Sequence, residues 1–160
     1  MSSRTGRPLS GHDLEAFLDL GLVARLSCLD DRGWPYIVPV WYQWDGSRFW
    51  ILGAEHAKWV GYVQASQRVA LCIDEPKSLS RVLCQGVANA QKASDAQRLA
   101  SDIARTMVTR YMGEEAVAEY ERATQGLVRW LVIIDVNRLI TWRGLGRADA
   151  AETGTQGAGQ

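Results

Sequence analysis

Residues 36–52 have the sequence YIVPVWYQWDGSRFWIL. β-Branched and aromatic side chains dominate both halves of this stretch, which is a composition typical of β-strands. The two halves meet at Asp45-Gly46, a dipeptide that favours the tight turn of a β-hairpin. Pro39 has no N–H group to donate to a neighbouring strand, so the first half is expected at a sheet edge or at a bulge.

Segments on either side of this hairpin extend it into a larger antiparallel sheet. Alternating apolar residues over 22–29, followed by turn residues at 30–33, predict a strand that pairs with the first half of the hairpin. Further strands are expected over residues 68–73 and 80–90. A strand with both faces buried is expected over 126–136, extended by residues 139–142 after a turn at Asn137, which makes about six strands.

Apolar residues recur at helical spacing in four other segments. An opening helix is expected after Ser10, which resembles an N-cap, and a short helix over residues 56–65. Ser94 and Gln97 form a capping box before an amphipathic helix that ends at Gly113, and a last helical stretch covers 114–122. Since the elements do not alternate as βαβ units, we expect a mainly β, α+β fold: a closed or nearly closed antiparallel β-barrel with flanking helices.

The composition limits the class of protein. The 160 residues include 18 basic and 18 acidic side chains, so no basic field favours nucleic acid. No segment approaches the ~18 apolar residues that a membrane span needs, and the N-terminus lacks the apolar core of a signal peptide. We expect one domain over residues 10–146, a mobile N-terminal tail over 1–9 and a disordered C-terminal tail over 147–160.

Several kinds of chemistry are disfavoured by the motifs. Cys28, Cys72 and Cys84 lie far apart in apolar segments, which predicts buried reduced thiols and a cytoplasmic location. His12 and His56 have no partner at helical spacing, so we expect no metal site. The nucleophile elbow of serine hydrolases and the glycine motif of dinucleotide-binding folds are absent, and paired carboxylates lie only in turns or at a helix start. The sequence identifies no catalytic residue.

Two features point to a ligand. Lys58 begins a predicted helix directly after a strand, where free N–H groups and a cation can hold a phosphate; a solvated surface lysine is the alternative. The chain also has seven tryptophans, which suggest stacking surfaces or a large apolar interface, although an aromatic-rich core would explain them too. They are at positions 34, 41, 44, 50, 59, 130 and 142.

The order of these motifs resembles one family. Residues 22–91 resemble short bacterial members of the pyridoxamine 5'-phosphate oxidase-like family of flavin-binding split β-barrels. The resemblance rests on GWPYIVPVW at 33–41, Trp44-Asp45-Gly46, Phe49-Trp50, Lys58, RVAL at 68–71 and QGVA at 85–88. Residues 129–132 and 140–144 resemble the closing strands. The resemblance implies a six-stranded split barrel that forms a homodimer, with two flavins at the subunit interface.

The resemblance also implies which residues bind the cofactor. Val38, Pro39, Val40 and Trp41 would follow the isoalloxazine ring. The ribityl phosphate would lie near Leu52, His56 and Lys58, and Arg81 would approach from another side. Trp142 would come from the closing strand of the same or the partner subunit. His56-Ala57 stand where members with a well-developed phosphate site have a hydroxyl residue and an arginine.

The resemblance implies an FMN-binding oxidoreductase that transfers hydride through the flavin N5 to or from a small molecule. The longer C-terminal segment of the true pyridoxamine phosphate oxidases is not recognisable, so oxidation of vitamin B6 is not inferred. One alternative is a reductase that uses the deazaflavin F420 on the same scaffold. Others are a dimer that binds flavin without catalysis and a barrel whose site is vestigial.

Overall fold

Seven strands form a single curled antiparallel sheet in the computed structural model, which describes residues 7–144. The order across the sheet is β2-β1-β5-β6-β7-β4-β3. The predicted α+β split barrel is confirmed, with seven strands in place of six. The strands are β1 (Ala24–Leu29), β2 (Pro35–Val40), β3 (Gln43–Trp44), β4 (Arg48–Ala54), β5 (Arg68–Glu75), β6 (Ser80–Lys92) and β7 (Arg129–Trp142).

The additional strand arises because the predicted strand over 36–44 is interrupted. Its first part is β2, an edge strand that contains Pro39 as expected, and its second part is β3, at the opposite edge. Only Trp41 and Tyr42 separate the two, so Val40 and Gln43 lie within about 11 Å of each other. A flat sheet of seven strands would place its edges about 29 Å apart. The sheet must therefore curl until its edges meet.

The predicted turn at Asn137 is wrong. β7 continues through this position, and its pairing with β6 shifts register there, from Gln85 opposite Arg138 to Gly86 opposite Val136. Asn137 is the extra residue of a β-bulge, which bends a long strand without ending it. Gly86 permits the close approach, because a Cβ atom there would lie 2.5 Å from the carbonyl oxygen of Asp135.

Four α-helices flank the sheet: α1 (His12–Leu18), α2 (Lys58–Ala65), α3 (Gln97–Met112) and α4 (Val117–Ala123). The predicted caps of two helices are wrong. Gly11, not Ser10, is the N-cap of α1. Ser94 lies inside a 3₁₀ turn, Ala93–Ala96, that precedes α3, and its hydroxyl donates to Asp95 instead of capping the helix.

Apolar side chains cover both faces of β7, as its continuous hydrophobic pattern predicted. Val132 belongs to the main core inside the barrel, where it is joined by Leu18 of α1 and Val63 of α2. Leu131 points to the other face and packs with Ile103 and Met107 of α3. α1 and α2 therefore contribute side chains to the core inside the barrel, and α3 packs against the outer face of β7.

The described residues include the last part of the predicted N-terminal tail, residues 7–9. Leu9 is buried, its carbonyl accepts a hydrogen bond of 2.9 Å from the Thr141 hydroxyl, and the Arg7 carbonyl accepts one of 2.7 Å from the Arg143 N–H. Residues 7–9 therefore lie against the end of β7. The rest of the two predicted tails, residues 1–6 and 147–160, lies outside the described residues.

The three cysteines are unpaired thiols, and Cys28 and Cys84 are buried. Burial raises the pKa of the Cys84 thiol to about 11, so this thiol stays protonated near neutral pH. Between residues 7 and 144 no helix combines the length and the apolar character needed to cross a membrane.

Substitution of two glycines, Gly53 in β4 and Gly61 in α2, should change the stability of the fold in opposite directions. A Cβ at Gly53 would lie 2.6 Å from Val60 and 2.7 Å from Trp59, whereas nothing lies within 4 Å of one at Gly61. We expect Gly53→Ala to lower the free energy of unfolding by about 1–3 kcal/mol through overpacking. Gly61→Ala should raise it by about 0.5–1 kcal/mol, since alanine is the better helix former. Urea unfolding followed by tryptophan fluorescence measures both; equal effects would contradict the packing described here.

Candidate functional site

The chain segment that crosses from β2 to β3 is held by the last turn of α3. Arg110 donates one hydrogen bond of 3.1 Å to the Tyr42 carbonyl and another of 2.9 Å to the side-chain oxygen of Gln43. The same guanidinium pairs with Asp19 at 3.0 Å. Because the Arg110 side chain is mostly buried, these charge-assisted contacts fix the crossing firmly to the helix.

Tyr111 supports the crossing from the neighbouring position of α3. Its ring stacks on Trp41, with centroids 4.9 Å apart and planes 4° from parallel. Its hydroxyl donates to the Leu22 carbonyl at 3.0 Å and accepts from the Tyr42 N–H at 3.4 Å. Burial raises the pKa of Tyr111, so the phenol remains a donor at neutral pH. Trp41 is thereby fixed in orientation before any ligand binds.

An apolar cavity of about 480 Å³ lies beside Trp41; we call it the edge slot. Four predicted cofactor-binding residues line it together: Pro39, Val40, Trp41 and Leu52. The other lining residues are also uncharged, and they are Val23, Gly53, Ala54, Ala57, Trp59, Met107 and Tyr120. A cavity of this size with apolar and aromatic walls suits a flat organic ring.

His56 and Lys58 flank Ala57, whose atoms reach the slot. Both side chains are exposed, so they lie around the slot and not inside it. α2 begins at Lys58, and no side chain caps its first turn. This places a lysine and the positive end of a helix dipole next to an apolar cavity, an arrangement that favours an anionic group.

Val38 lies elsewhere. Alternation along β2 turns it away from Pro39, and its half-buried side chain packs against the core inside the barrel. Val40 shares that face and is buried in the same core, but it also reaches the edge slot. Of the four predicted residues on this segment, Val38 is therefore the one that does not line the slot.

Arg81 and Trp142 contact each other, but neither residue lines the slot. They are paired across β6 and β7, with the guanidinium 5.2 Å from the centre of the indole ring, a cation–π contact. Leu52 pairs with Leu131, which in turn pairs with Gln91. Arg81 is ten residues from Gln91, about 33 Å of strand length. Within one chain, the predicted site thus forms two separate patches.

Seven residues that line the slot were not predicted from the sequence as site residues, and the three largest of them are Trp59, Met107 and Tyr120. Trp59 follows Lys58 on α2, while Met107 and Tyr120 come from α3 and α4. Met107 carries a helical-spacing signal that predicts only a buried position. Tyr120 carries no signal at all, because its place beside the slot depends on how α4 folds back over α3.

Metal chemistry has no visible ligand set in the described part of the chain. Residues 7–144 contain no group of three or more His, Cys, Asp or Glu side chains placed to hold an ion.

The fold defines a class, the split β-barrels, and in this chain the barrel carries an apolar cavity beside Trp41. Residues 10–130 match the model of the family described as pyridoxamine 5'-phosphate oxidase, and the chain belongs to this family. The resemblance inferred from the sequence is therefore confirmed. A comparison with curated proteins finds no match.

Solved structures with the same fold share little sequence identity with this chain. Protein Rv2991 from Mycobacterium tuberculosis is 18% identical with a TM-score of 0.72, covering 100% of this chain and 98% of that one. An F420 reductase is 16% identical with a TM-score of 0.58, covering 78% and 94%. A FAD-binding protein from Mesorhizobium loti is 18% identical with a TM-score of 0.58, covering 84% and 95%. At this identity the likeness establishes the fold.

Two substitutions at Tyr111 separate its hydroxyl from its ring. Tyr111→Phe removes the bridge to Leu22 and Tyr42 but keeps the stack on Trp41, so we expect a loss of about 1–2 kcal/mol in unfolding free energy. Tyr111→Leu also removes the stack on Trp41, and we expect it to lower the free energy of unfolding by about 0.5–1.5 kcal/mol more than Tyr111→Phe. Urea unfolding gives both values. If the two variants were equally stable, the stacked ring would contribute nothing to the fixed position of Trp41.

Proposed function

We propose that this protein is an FMN-dependent oxidoreductase acting on a small molecule. The observation that carries the proposal is the edge slot: an uncharged, partly aromatic cavity with Lys58 and the start of α2 at its side. A flavin has the complementary form, since a flat ring is joined by a ribityl chain to a phosphate. Family membership and a FAD-binding neighbour of the same fold support a flavin ligand.

In this proposal the isoalloxazine ring occupies the edge slot. Trp41, already stacked on Tyr111, provides a rigid wall, and Pro39 and Leu52 provide apolar contacts. Backbone groups at the sheet edge would meet the polar rim of the ring, because β2 has a partner strand on one side only. A preformed slot lowers the entropy lost on binding.

The phosphate would bind where α2 begins. Lys58 supplies a cation, and the N–H groups of the first helical turn supply donors that no side chain satisfies. His56 lies within two residues and adds a further donor. The hydroxyl residue and arginine of better developed phosphate sites are absent here, so Lys58 would supply most of the charge.

When bound, the flavin supplies the redox chemistry, accepting or donating hydride at N5. The chain's own contribution is to orient the ring, exclude water from its apolar faces and anchor the phosphate. Tyr120 brings a phenol to the slot wall, and the Arg129 guanidinium lies 3.4 Å from that oxygen. No catalytic acid or base is assigned.

We further propose that the functional form is a homodimer with the flavin at the interface. Along β1, β5 and β6, side chains in the core alternate with side chains that stay exposed or half-buried on the outer face of the described sheet. Ile37 of β2 is 65% exposed on this face, and Trp34, in the turn just before β2, is 69% exposed. A groove of about 450 Å³ lies on the face near Asn137. Exposed apolar surface of this kind is typical of an interface. A partner would also let Arg81 and Trp142 of one chain approach the slot of the other.

F420 in place of FMN is the second candidate for the cofactor, supported by the neighbour named an F420 reductase. We also propose a cytoplasmic location, because the three thiols are unpaired and such thiols persist in a reducing compartment.

Titration of cofactor-free protein with FMN and with F420 tests the cofactor proposal. We expect Lys58→Ala to weaken binding by about 10- to 100-fold, equivalent to the ~1.5–3 kcal/mol of a charge-assisted contact. Lys77→Ala, which changes an exposed lysine in the turn between β5 and β6, is the matched control and should bind like the unchanged protein. Tighter binding of F420 would select the deazaflavin. Binding of neither would refute the proposal, and bound flavin that never exchanges electrons with reductants or acceptors would indicate a binding protein.

Size-exclusion chromatography tests the dimer. Ile37→Asp places a charge on the uncovered sheet face, so we expect a monomer with weakened flavin binding. Leu99→Asp is the control, since Leu99 is an exposed leucine on α3, away from that face. A wild-type monomer at micromolar concentration would contradict the shared site, as would an Ile37→Asp variant that remains dimeric.

A further inference from the structure

A second cavity, of about 570 Å³, lies between α3, α4 and the loop that leads into β7. We call it the helical cavity. Its floor is apolar and consists of buried small or β-branched side chains: Ala100, Ala104, Val108 and Val117. Because Ala100 and Ala104 are one turn apart on α3, their short side chains leave room that a leucine would fill. The volume is in the range of small-molecule sites.

The rim of the helical cavity carries excess positive charge. Lys92, Arg105 and Arg129 line it, against a single described carboxylate, Glu121. Arg105 pairs with Glu121 at 2.8 Å, which balances both charges. The charges of Lys92 and Arg129 are not balanced by a carboxylate of the lining. Arg129 contacts only the neutral Tyr120 hydroxyl there, at 3.4 Å. Two cations above an apolar floor favour a ligand with an anionic end and an apolar body.

The helical cavity adjoins the edge slot. Tyr120 lines both, so the two cavities meet at its side chain. Arg129, at the rim of the helical cavity, pairs in register with Ala54, which lines the slot. A molecule in the helical cavity would therefore lie next to whatever the slot holds.

We propose that the helical cavity binds a small molecule that joins an apolar ring or chain to a carboxylate or phosphate, with Lys92 and Arg129 holding the anionic group. This molecule is the substrate of the enzyme, a step that rests on the function proposed above. Tyr120, where the two cavities meet, would position the apolar end of this molecule against the cofactor ring. The edge slot, which has no charged lining residue, would hold the cofactor ring.

A pair of probe ligands tests the charge requirement. 2-Naphthoate has an apolar ring and a carboxylate, and 2-naphthylmethanol has the same ring without the charge. Calorimetric titration of the full chain should give binding about 100-fold tighter for 2-naphthoate, about tenfold for each of the two charge-assisted contacts. Equal affinity for the two probes, or no binding of either, would overturn the proposal.

Substitutions then locate the probe. Arg129→Gln and Lys92→Gln should each weaken 2-naphthoate about tenfold and leave 2-naphthylmethanol unchanged. Arg98→Gln, which removes an exposed arginine of α3 outside the cavity lining, is the matched control. Ser101→Trp blocks the cavity from its exposed rim, where folding is not at risk, and should abolish binding of both probes. Binding unaffected by Ser101→Trp would place the probe elsewhere and refute the site.

The same titrations separate this inference from the proposed cofactor. If the slot and the cavity are distinct, Lys58→Ala weakens the binding of FMN but not that of 2-naphthoate. Ser101→Trp should abolish the binding of 2-naphthoate and leave that of FMN unchanged. Competition between FMN and 2-naphthoate would mean one shared site and would overturn the proposal. If FMN fails to bind but 2-naphthoate still depends on Lys92 and Arg129, the anion site stands and the flavin proposal falls.

Discussion

The structure depends on the crossing at Trp41 and Tyr42, which carries the chain from one edge of the sheet to the other. Two residues cannot bridge the edges of a flat sheet, so the seven strands must curl. The curl would leave a polar backbone segment exposed between two edges. The polar groups of this segment have partners, because Arg110 donates to the Tyr42 carbonyl and the Tyr111 hydroxyl accepts from the Tyr42 N–H. The Tyr42 side chain is fully buried, and its hydroxyl donates to the Leu18 carbonyl at 2.9 Å, which ties the crossing to α1 as well.

The same crossing forms the wall of the edge slot, so stability and binding are coupled in one segment. α3 has three roles along its length: its last turn holds the crossing, Met107 lines the slot and Ala104 lines the helical cavity. A helix fixed at its end by several partly buried hydrogen bonds gives both cavities a rigid boundary. This is the physical basis for treating them as preformed, because a rigid wall loses little conformational entropy when a ligand binds.

Sequence patterns predicted what local physics determines. The Asp45-Gly46 turn, the edge position of Pro39 and the doubly buried β7 each follow from a few neighbouring residues, and the structure confirms them. The bulge at Asn137 and the break after Val40 could not be predicted, since both depend on which strand lies opposite. Tyr120 was missed for the same reason: its role exists only after α4 packs on α3. Arg81 and Trp142 were assigned by resemblance, and their distance from the slot follows from the sheet register.

Charge distribution distinguishes the two cavities and suggests how they could work together. The edge slot has no charged lining residue and Lys58 at its side, whereas the helical cavity has an apolar floor and cations at its rim. Each arrangement would keep an apolar ring inside and an anionic group near water, where the desolvation cost of the charge is smallest. Tyr120 lies where the two apolar interiors meet. Two ligands bound in this way would bring their uncharged parts together and keep their negative charges apart, which avoids the repulsion that two anions in one cavity would suffer.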